Sequence, residues 1–405
     1  MVSAHLGPAP LAGIPSSVNH NPGSKSMKTL IIGGAGFIGS RLAKVLVARG
    51  HRVTVFDNLS PQVHGANAFF SADLQSVARC IHGDIRDRTA LAAAVVGQNV
   101  IVNYAAETGT GQSMYAVKHY EDVNIGGTAL LMDILVNDRS DSLRKLMVAS
   151  SRAVYGEGLY ACSTHGHVYP AARTSQAMLA GRFEPICPKC DAALTVLATP
   201  EEAPVAPSSF YGLSKQVQEQ ITLLFAHTLG VDAFALRYQN VYGPGQSLSN
   251  PYTGLLAVFS NLARQGADLD IFEDGLESRD FVYIDDVVEA TAACIAPGAH
   301  GVHALNVGSA VRTSVLDVAR STLQKLDAKG SIKVSGAFRV GDIRHNMADI
   351  TKLTALTGFV PSWSFDDGLG EFLRWAQGHV VVESGFSRSL EELAQRGLLR
   401  KAVSA

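Results

Sequence analysis

The sequence predicts an α/β chain built on a doubly wound parallel sheet, with a smaller, discontinuous second lobe. Three observations predict it. Short apolar runs of strand character alternate with helical stretches from Lys28 to Ser151. The first strand meets its helix through the glycine turn Gly33-Gly34-Ala35-Gly36-Phe37-Ile38-Gly39. An acid, Asp57, closes the second strand at about the ~20-residue spacing of a dinucleotide-binding unit.

Each element follows from local chemistry. Lys28 to Ile32 is a buried-type strand, and Ser40 to Arg49 reads as a helix stopped by Gly50. In the turn, Gly33 permits the tight bend, Gly36 lets backbone approach a pyrophosphate, and Gly39 lets helix pack on sheet. Phe37 and Ile38 lie in this turn, and the N-terminus of the helix that follows then faces the phosphates. Asp57, followed by Asn58, is placed to accept adenosine ribose hydroxyls; an acid there repels a 2′-phosphate and favours NAD over NADP. Cys80 to Ile85 forms a third strand that ends in Asp84, and Val100 to Ala106 a fourth that ends in Ala105 and Ala106. A helix holding Asn124 follows, then a strand from Lys145 to Ser151. Ser151 stands at a carboxyl end, where such sheets bind ligands.

The stretch from Ser208 read on as far as Gly230 is a helix, with Val217, Ile221, Leu224 and Phe225 at helical spacing. Tyr211 and Lys215 are one turn apart on its first face. A phenol titrates near ~10, and a neighbouring ammonium is expected to draw it toward neutrality, so the pair is a candidate base. A chance Tyr/Lys pair on a surface helix is the plain alternative.

Composition excludes several classes. The chain has 405 residues, 47% hydrophobic and 17% charged, and a net charge of −2, so nothing pulls it toward nucleic acid or anionic membrane. No apolar run reaches the ~20 residues of a membrane helix. Residues 1–26 are rich in Pro, Gly, Ser and Asn, lack the pattern of a signal peptide, and are expected to be a disordered extension, with Met27 a candidate start. Five thinly spread cysteines point to a reducing cytoplasm.

The stretch from Ser151 to Tyr211 is more than twice the roughly 25 positions that a connecting loop and a turn need. Its excess, residues 158–203, carries Cys162-Ser163-Thr164-His165 and Cys187-Pro188-Lys189-Cys190. Each pair sits on a turn, as in the knuckles of a zinc ribbon, and four ligands would close a structural site. His167 is an alternative fourth ligand. A Cys187–Cys190 disulfide, or reduced thiols without metal, are the other readings. The insertion rejoins the chain at Pro200 to Pro207, just before Tyr211, where it is expected to steady the helix or cover a sugar pocket.

Taken together these motifs resemble the extended short-chain dehydrogenase/reductase family of sugar-nucleotide epimerases and dehydratases, from about Met27 to about Gln377. They are the glycine turn, Asp84-Ile85, Ala105-Ala106, Ser150-Ser151 before Val154-Tyr155-Gly156, Tyr211 to Lys215, and Leu236 to Pro244. The resemblance implies a Rossmann domain over 27–244 and a substrate-binding lobe over 245–405, with residues near 280–310 returning to the sheet. It implies NAD as cofactor, Tyr211 as base, Lys215 on the nicotinamide ribose, and Ser151 on the sugar hydroxyl being oxidised. Asp84 and Ile85 would flank adenine, Ala105 and Ala106 would line the cofactor groove, and Asn124 would support the backbone there. Asn240 would meet the substrate diphosphate. Arg279 and Arg339 would clamp it, with Asp342 beside them; a surface salt bridge is the plain reading of each arginine.

Dehydratases of the family carry Asp-Glu after the serine, where this chain has Arg152 and Ala153. Without those carboxyl groups, elimination of water lacks its proton donor and acceptor. A 4-epimerisation through a 4-keto sugar remains. The insertion, with Ala106 to Ser113 and Gly245 to Tyr252, looks like the branch that interconverts dTDP-L-rhamnose and dTDP-6-deoxy-L-talose. There Glu107 and Thr108 would face the hexose, helix capping being their plain alternative. UDP-glucose and UDP-glucuronate 4-epimerases are the nearest rivals, and a non-catalytic NAD-binding scaffold is the rival of another class. The resemblance further implies a homodimer through paired helices, Asn124 to Leu135 and Leu213 to Leu229.

Overall fold

The computed structural model describes residues 26–402 apart from 67, 139–140, 251, 253 and 382–384. The extension expected over residues 1–26 therefore lies almost wholly outside the described residues.

Strands β1 (Lys28–Ile32), β2 (Arg52–Asp57), β3 (Arg79–His82), β4 (Val100–Asn103) and β5 (Lys145–Ser151) come first in the chain. The insertion adds β6 (Tyr160–Cys162), β7 (Gly166–Val168) and β8 (Thr195–Val196). Then follow β9 (Asp232–Tyr238), β10 (Asn240–Tyr242), β11 (Leu269–Ile271), β12 (Ser278–Tyr283), β13 (Val302–Val307), β14 (Arg312–Ser314), β15 (Ile332–Val334), β16 (Ala337–Arg339) and β17 (Leu399–Lys401). Seven of them form one sheet in the order β13-β9-β5-β4-β1-β2-β3, and every pairing in it is parallel.

Strand order reverses between β1 and β4, which opens a crevice at their carboxyl ends. Parallel strands must be covered on both faces, which is why β1 is apolar at consecutive positions. Ile31 packs into one core with Leu42 and Leu46 of helix Phe37–Ala48 and Val287 of helix Ile284–Ile295. Leu30 and Ile32 pack into the other, with Leu91, Leu131 and Ala226.

The third and fourth strands end earlier than the sequence implied, at His82 and Asn103. Gly83 to Ile85 and Tyr104 to Ala106 are therefore loop, free to curve around a ligand. The second lobe holds the sheet β10-β12-β14, the pairs β11-β15 and β16-β17, and helices Leu255–Arg264, Val315–Leu326 and Phe365–Gln377. Helix Ile284–Ile295 and β13 return to the main sheet, and helix Thr351–Thr357 packs beside them.

The insertion is a three-stranded antiparallel sheet, β7-β6-β8, with its own small core of Tyr160, Cys162, Val168 and Cys187. Among the described residues, no helix is long and apolar enough to cross a membrane.

Candidate active site

The glycine turn closes on itself. A Cβ at Gly33 would stand 2.6 Å from the Ala105 nitrogen, and one at Gly39 2.7 Å from the Gly33 oxygen and the Gly34 Cα. Gly33 also has φ +74°, a left-handed conformation that favours glycine. Gly36 has no such crowding and caps helix Phe37–Ala48 without any side-chain partner. The open N–H groups of that helix border a cavity of about 800 Å³, a natural seat for a pyrophosphate. Phe37, Ile38, Asp57, Asn58, Ile85, Ala105 and Ala106 line the same cavity. Asp57 is buried, and its carboxylate accepts from Ala35 N (2.9 Å) and Leu59 N (2.8 Å), which fixes it at the cavity wall. These residues fit the adenosine half of NAD.

Asp84 differs from its neighbours. Arg86 donates to both its oxygens (2.8 and 2.7 Å), with Asn58 Nδ2 at 3.0 Å, and Arg86 first among them holds the carboxyl well below its ordinary range. It props the loop, while Ile85 meets the cavity.

The long helix runs Phe210–Leu229, capped by the Ser209 hydroxyl on Gly212 N (3.1 Å) and ended by Gly230 at φ +66°. Its buried face is largely polar: Ser214, Lys215, Gln218, Glu219 and Thr222 point inward, Ile221 and Phe225 pack at the edge of the core, and Leu224 is 64% exposed. Each of these inward side chains has a partner, although Gln218 Oε1 has none. Glu219 binds Arg237 Nη2 (2.5 Å) and takes Ser150 Oγ (2.6 Å); Ser214 Oγ receives Asn124 Nδ2 (2.9 Å).

Asn124 lies in a π-helical segment, Glu121–Gly126. Its side chain accepts from Glu107 N (2.8 Å) and donates to Glu107 O (3.1 Å), so it props the loop that carries Glu107 and Thr108. Both of those residues line the large cavity, and neither caps the following helix, whose N-cap Gly109 has no side-chain partner. Glu107 faces His119 Nε2 at 3.1 Å.

Lys215 Nζ donates to Ala149 O (2.9 Å) and lies 5.9 Å from the Tyr211 ring centroid. The electrostatics depart from expectation. Burial pushes Lys215 down to about 7 and Tyr211 upward; what draws the phenol back is the Ser151 hydroxyl and the charge of Arg152. Arg152, which entered the sequence reading only as a missing carboxylate, is thus the residue that reading undervalued. Its Nε donates to Asn240 Oδ1 (2.8 Å), and burial lowers it only to about 10, so it stays a cation at neutral pH.

Arg152 and Asn240 border a second cavity of about 340 Å³, together with Arg279, Arg339 and Asp342. Neither arginine makes a plain surface bridge. Arg279 is buried and donates to the carbonyls of Ile343 (2.9 Å) and Arg344 (3.0 Å). Arg339 Nη2 binds Asp342 Oδ2 at 2.7 Å, and Asp342 Oδ1 lies 3.5 Å from Arg279. Burial works against the Asp342 charge, yet Arg339, Arg279 and Arg152 hold its carboxyl well below the usual range. Ser151 and Tyr211 stand on the wall that the two cavities share.

In the insertion, Cys162 Sγ is 3.6 Å from His165 Nδ1 and 3.8 Å from Cys190 Sγ, and Cys187 Sγ is 3.6 Å from the same nitrogen. All four ligand atoms lie within 4.8 Å of one another. A tetrahedron with Zn–S bonds of ~2.3 Å has sulfur–sulfur edges of ~3.8 Å, so the donor set fits zinc. Hydrogen bonds from the Thr164 backbone first, then His165, bring the Cys162 thiol down to about 6. His167, the alternative ligand, is exposed on β7 and outside the cluster, and Cys187 and Cys190 are free thiols, not a disulfide. Among the described residues, none from 158–203 lines either cavity, so the expected lid over the sugar pocket is not what the insertion forms.

Known proteins place this geometry. The family model for the NAD dependent epimerase/dehydratase family matches residues 29–176 and 189–308. A dTDP-L-rhamnose 4-epimerase of Burkholderia thailandensis is 38% identical over 86% of this chain and 94% of its own. A UDP-glucose 4-epimerase of Mycolicibacterium smegmatis is 29% identical over 86% and 99%. The crystal structure of a Thermotoga maritima UDP-glucose 4-epimerase with UDP-glucose superposes with a TM-score of 0.70, at 25% identity, over 87% of this chain and 99% of that one. With the glycine turn, the cavity at the β1/β4 reversal and the Ser/Tyr/Lys set in place, the chain belongs to the NAD dependent epimerase/dehydratase family and is an NAD-dependent epimerase of it.

Proposed function

We propose that the chain is a nucleotide-sugar 4-epimerase that interconverts dTDP-L-rhamnose and dTDP-6-deoxy-L-talose. One observation carries the reaction type: Ser151 and Tyr211 stand where a cofactor-sized cavity meets a cavity lined by Arg152, Arg279 and Arg339. A sugar linked to a diphosphate held by the arginines would present its ring to the phenol. The 38% identity to a dTDP-L-rhamnose 4-epimerase favours that substrate over the UDP-sugars of more distant relatives.

Bound NAD⁺ supplies a reversible hydride acceptor for sugar C4. Tyr211 takes the proton of the C4 hydroxyl as the carbonyl forms and returns it after the sugar has turned its other face. Ser151, hydrogen-bonded to the Tyr211 phenol, lies within reach of the same oxygen. Arg152 keeps a positive charge beside the phenol and, with Asn240, meets the sugar-side phosphate; Arg279 and Arg339 take the remaining phosphate oxygens. Asp342 holds the two arginines apart and keeps their mutual repulsion in check. Glu107 and Thr108 face the hexose. Positions 152 and 153 offer no carboxyl group, so elimination across C5 and C6 has no acid or base there.

Cys162, His165, Cys187 and Cys190 hold one structural zinc, which needs reduced thiols and suits a cytoplasmic protein. The exposed apolar residues Leu213 (42% exposed) and Leu224, on the helix that packs against Gly127–Asn137, mark the face through which two copies pair. Incubation with dTDP-L-rhamnose, with products identified by NMR, tests the substrate: a new C4 epimer supports it. Turnover of UDP-glucose alone overturns it.

A further inference from the structure

Residues 169–184 run from one Cys/His turn of the insertion to the other, and they reach into the second lobe. Arg173, with a side chain only 2% exposed, donates from Nε to Glu157 (3.2 Å) and from Nη1 to Glu273 (2.8 Å) and Phe183 O (3.1 Å). Its Nη2 donates to the backbone carbonyl of Asp342 (2.9 Å). Glu184 accepts from Arg344 Nε (2.7 Å) and Nη2 (2.5 Å) and faces His345 Nε2 at 3.1 Å. Met178 and Phe183 pack against Phe338, which is wholly buried. Segment 338–345 is therefore gripped from one side by charge and by apolar contact. That segment carries Arg339 and Asp342, and its carbonyls at Ile343 and Arg344 receive Arg279.

We propose that loop 169–184 is a clamp that sets Arg279, Arg339 and Asp342 for a nucleoside diphosphate, and that a metal at the Cys/His cluster keeps the clamp closed. The inference rests on the reading of the arginine cavity as a diphosphate site and of the cluster as a metal site. The physical case has two parts. Arg279 and Arg339 repel each other, and only a fixed Asp342 makes their spacing specific; Arg173 fixes it through the main chain, where side-chain freedom does not blur it. Removing Arg173 takes the side-chain cation from buried Glu157 and leaves Arg344 alone to hold both Glu157 and Glu273, which loads segment 338–345 with a charge imbalance and loosens it. The metal, for its part, joins Cys162 and His165 at one end of the loop to Cys187 and Cys190 at the other. Closing those ends removes most of the freedom that the loop would otherwise have to lose on gripping its target. Arg173 is a positioning residue: it lines neither cavity and acts through Asp342.

The test titrates dTDP into NAD-loaded, metal-loaded protein by calorimetry, for the wild type, Arg173→Met and Glu184→Gln. The expected result is at least tenfold weaker dTDP binding in Arg173→Met and severalfold in Glu184→Gln, with NAD content unchanged. In turnover, KM rises while kcat at saturation stays within twofold, a split that general loss of structure does not produce. Stripping the metal with a chelator weakens dTDP binding in the wild type by a similar factor and adds little in Arg173→Met. If Arg173→Met does not fold, Glu184→Gln decides, because its carboxylate is half-exposed and tolerates the change. dTDP affinity within twofold of wild type in a folded variant overturns the clamp. An equal effect of metal removal in wild type and Arg173→Met overturns the link to the metal. A wild type that binds no dTDP, or binds it equally after Arg279→Ala, refutes the diphosphate reading itself.

Discussion

Replacing Lys215 with methionine should make the NAD-free protein more stable while abolishing its activity. The lysine is 3% exposed, and burial pushes its ammonium down to about 7, against ~10.4 in an unfolded chain. A displacement of ~3.5 units at ~1.4 kcal/mol each sets a ceiling of ~5 kcal/mol on the cost of burying it. Losing the bond to Ala149 O takes back ~1 kcal/mol, which leaves a gain of ~4 kcal/mol. The sign with pH follows from proton binding. Between 7 and ~10.4 the unfolded chain binds the proton and the folded one does not, so wild-type stability rises with pH across that window. The penalty is full below pH 7 and has vanished by ~10.4. Urea unfolding of both proteins at pH 6.5 and pH 9 should give an advantage for Lys215→Met of ~4 kcal/mol at the lower pH and ~1 kcal/mol at the higher. A variant less stable than wild type at pH 6.5, or a gap equal at both values, would show that the lysine serves the fold and refute the reasoning.

Tyr211→Phe should lower kcat by ~10²–10⁴ and leave NAD and dTDP binding within a few-fold, because only the proton transfer is lost; stopped assays with calorimetry check both. Arg152→Gln removes the cation that draws the phenol down, so the pH at which the base ionises moves up. Its kcat/KM should fall most near pH 7 and recover in part near pH 9, read from a pH–rate profile. Cys187→Ser should reduce zinc from about one per chain to none by elemental analysis, and lower the melting temperature. Gly39→Ala places a methyl against backbone atoms that have no flexible end to yield, at 2.7 Å from Gly33 O. It should purify without NAD and lose ~2–3 kcal/mol in urea.

The dinucleotide half of the site was legible because its chemistry is local. A glycine turn between a strand and a helix, an acid after the next strand and a Tyr/Lys pair one turn apart each declare themselves within a short span. The four metal-type ligands were legible for the same reason, and the fold keeps His165, the residue the spacing preferred, in the cluster and leaves His167 exposed outside it. What the sequence hid depends on distant pairing. The helical spacing of Val217, Ile221 and Leu224 says nothing of Glu219 and Lys215, which lie inward because Arg237 and Ala149 O await them across the sheet. Lys215 was expected to lower the phenol, and burial, which no spacing reveals, draws its own ammonium down to about 7 and weakens it as a neighbour. Nothing local marks Arg173, whose four partners come from Glu157, Phe183, Glu273 and Asp342.

The most direct test of the account is turnover of dTDP-L-rhamnose in D₂O, followed by proton NMR of the sugar. A hydrogen that leaves C4 as hydride and returns from a closed site never meets solvent, whereas a hydrogen removed from carbon as a proton exchanges. The account predicts the C4 epimer with protium retained at C3, C4 and C5. Deuterium at C3 or C5, or loss of water to give a 4-keto-deoxy sugar without any C4 epimer, would contradict it.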